Sequence, residues 1–342
     1  MIPRIVVSIG CPAGIGPEVS IVAAADTRVL LVGDLETLVE AATLRGVPSA
    51  RLVSVEDPAD AWRLEKDAIP VWQPTPDLSR RDHTPGTPTP RSGTAQLAWI
   101  DAACDIVSEG HAHALVTGPV SKDIIGRAPE GEGFLGHTEY LQHRLGAREV
   151  VMAFACETLT TALVTTHIPL SEVPKAVTSV AVARTCFWLG DLLVRLKRRR
   201  REPSIAVAGL NPHAGEHGRL GNEESKRLVP GMERARKRLL EAGIEVTLQG
   251  PVPAETAFRL AAAGEFDGVV AMYHDQATIP MKLLGFGEAV NVSLGLPIVR
   301  TSVDHGTAYD RAGEGTADAR GMREAVALAA RLVRRNHTQA IR

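Results

Sequence analysis

The stretch IVVSIGCPAGIGPE, residues 5–18, decides how the rest of the chain is read. Ile5-Val6-Val7-Ser8-Ile9 is a short apolar run of the kind that a strand buried on both faces needs. It runs into a glycine- and proline-rich turn, residues 10–18, that leads to a helix. A second run, residues 29–32, is closed by Asp34 about 20 residues after the turn, which invites a dinucleotide-fold reading. The glycine order, however, is G-x-x-x-G-x-G rather than G-x-G-x-x-G, and Pro12 and Pro17 remove amides that a phosphate cradle would use. The turn therefore reads as tight backbone beside a ligand cleft.

Working outward, residues 114–117, 150–154, 161–164, 205–208 and 269–272 repeat the short Val- and Ile-rich pattern. Helical patterns over 94–108, 180–198, 224–242 and 321–333 alternate with them, as a parallel α/β sheet requires. Residues 70–93, with six prolines, read as a surface excursion, a long loop. The basic run 197–201 ends a predicted helix, where cations meet the negative end of the dipole.

The chain has 342 residues, which suggests two domains. Lys plus Arg number 38 against 40 Asp plus Glu, a net charge of −2 that argues against a nucleic-acid binder. Four scattered cysteines (Cys11, Cys104, Cys156, Cys186) form neither a zinc knuckle nor a disulfide framework. With no signal-like leader and no run of apolar residues long enough to span a bilayer, the expectation is a cytoplasmic protein with no membrane partner.

Three histidines sit where the chain leaves a predicted strand: His167, His213 in GLNPHAGE (209–216), and His274 in YHDQ (273–276). In open α/β sheets the ligand crevice lies outside the carboxyl ends of the strands, so all three point to one region. A lone strand-end histidine is ordinarily a hydrogen-bonding loop residue, but three neutral imidazoles suit a divalent ion such as Zn²⁺. Asp275 is a further ligand or an orienting partner. His83, His111, His113, His143 and His337 read as solvated, and His217 is left open.

Gly136-His137-Thr138-Glu139 opens a helical pattern whose free amides, hydroxyl and imidazole make a phosphate seat, unless it is simply a helix start. Arg300 emerges from a buried segment and needs an anion, either the substrate's or a structural carboxylate. Lys282 and Asn291 lie in similar apolar or glycine-rich surroundings. The small-residue loops of residues 304–318 allow close approach of a large flat or phosphorylated ligand, ordinary loops being the alternative.

Taken together, PAGIGPE (12–18), TGPVSK (117–122), GHTEYL (136–141), HIPL (167–170), GLNPHAGE (209–216), GPVPAET (250–256), AMYHDQ (271–276) and residues 285–318 resemble the 4-hydroxythreonine-4-phosphate dehydrogenase family and its paralogues. The resemblance implies an α/β fold: a two-domain isocitrate/isopropylmalate dehydrogenase-like α/β/α architecture with the active site in the interdomain cleft. On that pattern the cofactor-side domain takes residues 1–118 and 286–342, and the metal, substrate and dimerisation domain takes 119–285. It further implies a homodimer with a shared site, one divalent metal per subunit (Zn, Mg, Mn or Co) on His167, His213 and His274, and His167 coming from a different copy than the other two. By the same resemblance, a small phosphorylated hydroxy acid contacts His137, Thr138, Lys282, Asn291 and Arg300. NAD or NADP lies along Asp304, His305, Gly306, Thr307 and Asp318.

The implied chemistry is oxidation of 4-phosphooxy-L-threonine with decarboxylation of the β-keto acid, as in pyridoxal 5′-phosphate biosynthesis, with Lys282, Asp275 and a metal-bound water as candidate bases. Two departures bear on the substrate: Cys11 stands where the family usually has an acid, and TGPVSK replaces a TAPINK-like segment. They leave open a paralogue acting on 4-phospho-threonate or 4-phospho-erythronate. A metal-dependent hydrolase or lyase, without nicotinamide, is the rival from another class.

Overall fold

The computed structural model describes residues 2–196 and 202–339. The basic run at 197–201 and the side chain of His337 lie outside the described residues. Twelve strands follow in chain order: β1 (Ile5–Ser8), β2 (Leu30–Val32), β3 (Leu52–Ser54), β4 (Ile69–Trp72), β5 (Ala114–Thr117), β6 (Val151–Ala155), β7 (Thr160–Leu163), β8 (Ser204–Ala208), β9 (Thr247–Val252), β10 (Gly268–Ala271), β11 (Val290–Leu294) and β12 (Val299–Val303). The helices are α1 (Gly16–Asp26), α2 (Leu35–Leu44), α3 (Pro90–Ser108), α4 (Lys122–Gly126), α5 (His137–Arg144), α6 (Val173–Ala176), α7 (Ser179–Leu196), α8 (Val229–Glu241), α9 (Ala254–Ala262), α10 (His274–Gly285) and α11 (Arg320–Gln339). Among the described residues, no single helix is long and apolar enough to cross a membrane.

The chain divides into two compact units, Met1–Gly146 with Leu296–Arg342, and Ala147–Gly295. The breaks fall after residues 146 and 295 rather than after 118 and 285. Helix α5 is the reason at the first break. Tyr140 Oη donates to Asp101 Oδ1 at 2.6 Å, and Arg144 pairs with Asp105 at 2.7 Å, so α5 is fastened to α3 of the first unit. At the second break, β11 pairs antiparallel with β6 and so belongs to the second unit.

In the first unit the strand order is β3-β4-β2-β1-β5-β12, every neighbouring pair parallel. All residues of β1, β2, β5 and β12 are buried, and β1, β2 and β5 read as apolar runs for that reason, whereas β12, Val-Arg-Thr-Ser-Val, carries no such run and was not located from the sequence. Asp34, the candidate ribose acid, is instead the N-cap of α2. Its Oδ2 accepts from Thr37 N at 2.9 Å, its Oδ1 accepts from Leu78 N at 3.1 Å, and the residue is 1% exposed. The proline-rich segment is not a plain surface loop either. It begins inside β4 and ends in the first turn of α3, and the buried Asp82 ties it together by accepting from Ser79 Oγ at 2.6 Å and Thr89 Oγ1 at 2.7 Å. His83, expected in solvent, is buried with Nδ1 3.2 Å from Glu40 Oε2.

The 10–18 turn packs as tight backbone. A Cβ on Gly10 would meet Pro119 O at 2.3 Å and one on Gly14 would meet Thr307 O at 2.7 Å. Its amides are taken up internally: Cys11 N donates to Pro119 O at 2.8 Å and Ile15 N to Thr307 O at 3.0 Å. These glycines serve close approach rather than phosphate.

In the second unit the order is β11-β6-β7-β10-β8-β9, with β7, β10, β8 and β9 parallel and β6 antiparallel to both its neighbours. Strand β9 escapes a reading of the sequence because TLQGPV carries a Gly-Pro pair that resembles a turn. Gly250 is required there, since a Cβ would meet Val207 O at 2.6 Å. The core of this unit gathers Phe154, Leu163, Phe258, Val269 and Met281 under α9 and α10.

Candidate functional site

Three neighbouring parallel strands of the second unit, β7, β10 and β8, end beside one another, and each end carries one of the singled-out histidines. Their ends are laced by side chains. Thr165 Oγ1 donates to Met272 O at 2.7 Å, Met272 N donates to Gln276 Oε1 at 2.6 Å, and Gln276 Nε2 donates to Gly209 O at 2.9 Å. The His167 and His274 rings lie 5.7 Å apart, centroid to centroid, within one chain. Both line a cavity of about 270 Å³ with Thr166, Ile168, Tyr273 and Asp275.

His274 starts α10, and its Nδ1 lies 2.7 Å from Asp275 Oδ1. A carboxylate oxygen only accepts, so Nδ1 carries a proton, and in the neutral ring Nε2 is then the nitrogen with the lone pair, the usual arrangement of a metal-bound imidazole. His213 stands on a left-handed turn: His213, Ala214, Gly215, Glu216 and His217 have φ of 52°, 52°, 80°, 42° and 54°. Each non-glycine residue in that conformation costs roughly 1–2 kcal/mol. Strain of this kind persists only where neighbours over-determine it, and it gathers at functional sites. In a single chain the three imidazoles do not close into one ligand group. Among the described residues only Glu36, Glu40 and His83 bring three such atoms within 4.8 Å, and both glutamates there are exposed.

The first unit holds a cationic cluster. Arg300 lies inside β12, 2% exposed, and its Nη2 donates to Thr117 Oγ1 on the adjoining β5 at 2.6 Å. Burial pulls its guanidinium down to about 10, with the Glu139 carboxylate opposing, so it is charged at neutral pH. Helix α5 begins at His137 after Gly136, whose φ of 149° no L-residue adopts readily. A Cβ there would stand 3.2 Å from Lys122 Nζ. Thr138 is buried in the first turn, and His137 Nε2 is buried without a hydrogen bond. Burial first, then the Arg300 and Lys122 cations, hold the His137 imidazole well below its ordinary 6.5. An anion at the amino end of α5 would meet the positive end of the helix dipole, Arg300 and Lys122. Lys122 and Thr117 were not singled out in the sequence, although both lie in TGPVSK; their signal was the segment, not their own spacing.

The neutral His137 has a consequence for stability. Above pH 6.5 the imidazole is neutral folded and unfolded, and contributes nothing. Below that value the unfolded chain takes up a proton that the folded state refuses, so stability falls with pH. The urea midpoint should therefore drop more between about pH 7.5 and about pH 5.5 in the wild type than in His137→Asn. Equal drops would assign the titration elsewhere.

Residues 304–318 are held against the 10–18 turn by Ile15 N to Thr307 O and by Gly313 N, which donates to Glu18 Oε1 at 2.9 Å. Gly306 has open space around it and His305 Nε2 is buried without a hydrogen bond, both of which suit a ligand lying along the loop. Asp318 is otherwise engaged: its carboxylate accepts from Arg320 N and Nε, each at 2.9 Å, at the start of α11. Cys11 is fully buried, with Sγ 3.4 Å from Tyr309 Oη. Burial pushes its thiol up, so Cys11 presents a neutral thiol beside Tyr309. Asn291, on β11, has its Oδ1 buried without a hydrogen bond, whereas Lys282 is exposed on α10.

The family model described as "Pyridoxal phosphate biosynthetic protein PdxA" matches residues 25–329. A protein of Desulfosudis oleivorans named 4-hydroxythreonine-4-phosphate dehydrogenase is 42% identical over 335 residues, covering 96% of this chain and 95% of its own. One of the same name from Geobacter metallireducens is 40% identical over 344 residues, covering 97% of this chain and 96% of its own. A crystal structure of a 4-hydroxythreonine-4-phosphate dehydrogenase from Klebsiella pneumoniae matches with a TM-score of 0.81 at 33% identity, over 97% of this chain and 99% of that one.

Proposed function

Because the chain belongs to the PdxA family of pyridoxal phosphate biosynthetic proteins, we propose that it oxidises the secondary alcohol of 4-phosphooxy-L-threonine, with NAD or NADP as hydride acceptor, a divalent cation, and loss of CO₂ from the β-keto acid. The observation that carries the reading is the lacing of Thr165, Met272, Gln276 and Gly209, which gathers the three histidine-bearing strand ends. When bound, the cation supplies Lewis-acid polarisation of the hydroxyl and the nicotinamide supplies the hydride sink.

His167, His213 and His274 are the residues that would hold the cation, with Asp275 fixing His274 in the Nδ1–H form. Arg300, His137, Thr138 and Lys122 bind the phosphate, while Asn291 orients the acid end. Asp275 and Lys282, the ionisable side chains that α10 carries after His274, are the two we assign to handle the alcohol proton. Asp304, His305, Gly306 and Thr307 receive the nicotinamide cofactor.

A second copy of the chain completes the ligand set that one copy leaves open. The apolar side chains that α10 and the residue after it expose, Ile279 at 59%, Leu283 at 80% and Phe286 at 78%, suit burial against that copy.

The test is a panel of 4-phosphooxy-L-threonine, 4-phospho-threonate and 4-phospho-erythronate, each with NAD or NADP and with added Zn²⁺, Mn²⁺, Co²⁺ or Mg²⁺, read as NAD(P)H formation. Turnover is expected with the first compound and only with a cation present. Turnover restricted to either of the other two acids would transfer the chain to a paralogue's reaction. No reduction with any of them would defeat the dehydrogenase reading.

A further inference from the structure

Glu224 lies 11 residues beyond His213, outside every motif singled out in the sequence, yet it is 6% exposed and turned into the His213 loop. Its Oε1 accepts from Leu210 N at 2.9 Å and from Asn211 N at 2.8 Å, and its Oε2 accepts from Asn211 Nδ2 at 3.0 Å. The left-handed run begins two residues later, and its one glycine, Gly215, sits against the same carboxylate: a Cβ there would stand 2.6 Å from Glu224 Oε2. Glu224 itself opens a single π turn, Glu224–Leu228, ahead of α8. Such turns are rare and recur at functional sites. One buried carboxylate thus closes the entry to five consecutive left-handed residues and fills the space beneath their centre.

We infer that Glu224 is a positioning residue for cation binding: by clamping Leu210, Asn211 and the underside of Gly215, it holds the strained turn that presents His213. The inference rests on the reading of His213 as a ligand, and the experiment separates the two. Glutamate is suited to the task because both oxygens accept. Glutamine keeps the shape but has one acceptor oxygen, so either Oε1 loses its two backbone donors or Asn211 Nδ2 faces another N–H donor.

The full-length chain, stripped of metal with a chelator, is titrated with Co²⁺ alone and followed by the visible ligand-field absorption. Wild type, His213→Ala, Glu224→Gln and Gly215→Ala are compared, with circular dichroism and thermal midpoint reporting the fold. Loss of an outer partner typically weakens metal binding 10–100-fold. Glu224→Gln and Gly215→Ala should each raise the Co²⁺ Kd by about that factor, and shift the band, in chains that melt cooperatively. Wild-type Co²⁺ affinity in both, alongside weakened binding in His213→Ala, overturns the assignment of Glu224 and leaves the metal reading standing. Wild-type affinity in His213→Ala defeats the metal reading, and the role of Glu224 falls with it. Should Glu224→Gln not fold, the Co²⁺ affinity of Gly215→Ala decides between these outcomes, because that substitution disturbs the same contact from the loop side.

Discussion

Replacing His274 with alanine is expected to abolish divalent-cation binding and to lower turnover by much more than the 10–100-fold typical of losing an outer partner. His274 is the imidazole whose state is best defined. Its Nδ1 is committed to Asp275, its ring faces His167 at 5.7 Å, and it lines the same cavity. Asp275→Asn supplies the graded comparison. An amide can still accept at Nδ1 through its oxygen but carries no charge, so that variant should lose affinity within the outer-partner range. Metal content by elemental analysis and kcat on the same preparations are the measurements. A fully loaded His274→Ala protein would remove this residue from the ligand set. Equal losses in the two variants would mean that orientation, not ligation, is what His274 contributes.

The second large effect concerns Arg300. Arg300→Met should weaken binding of the phosphorylated substrate by roughly 10- to 100-fold, since a hydrogen bond to a charged group contributes about 1.5–3 kcal/mol. Its thermal midpoint should stay level or rise. Burial already disfavours the guanidinium's charge, and an unbranched apolar side chain refills the space without that penalty. This pairing of outcomes separates the two readings that the sequence left open. A substrate-binding arginine gives up affinity and keeps stability. A purely structural one would do the reverse, lowering the midpoint while inhibition by inorganic phosphate stays at its wild-type value.

The family and the α/β class were legible in the sequence, and so were β5 beside Arg300 and the three parallel strands that lead to the histidines. Ala114–Thr117 falls where its apolar run ends, and the strands before His167, His213 and His274 were located to within a residue or so. A strand buried on both faces must be written as a continuous apolar run, and that requirement survives in one dimension. Edge and irregular strands carry no such mark. β3, with no buried residue, and β9, with its Gly-Pro pair, went unread for that reason, while β4, β11 and β12 went unread because Pro70, Ser293 and the run Arg300-Thr301-Ser302 interrupt their apolar pattern.

What the amino-acid order determined by itself was therefore composition, period and the residue types left at strand ends: three imidazoles, one buried arginine and a helix start beginning His-Thr-Glu. Tertiary structure decided which of those groups are already occupied. Asp34 has the spacing of a ribose acid but caps α2, and Asp318 is taken by Arg320. Tertiary structure also supplied the partners no spacing announces, such as Thr165 and Met272 at 107 residues apart, or Lys122 beside Gly136. The physical reason is that hydrophobic burial follows a local period, whereas a hydrogen bond needs only two complementary atoms about 3 Å apart. Such a pair leaves no periodic trace in the chain.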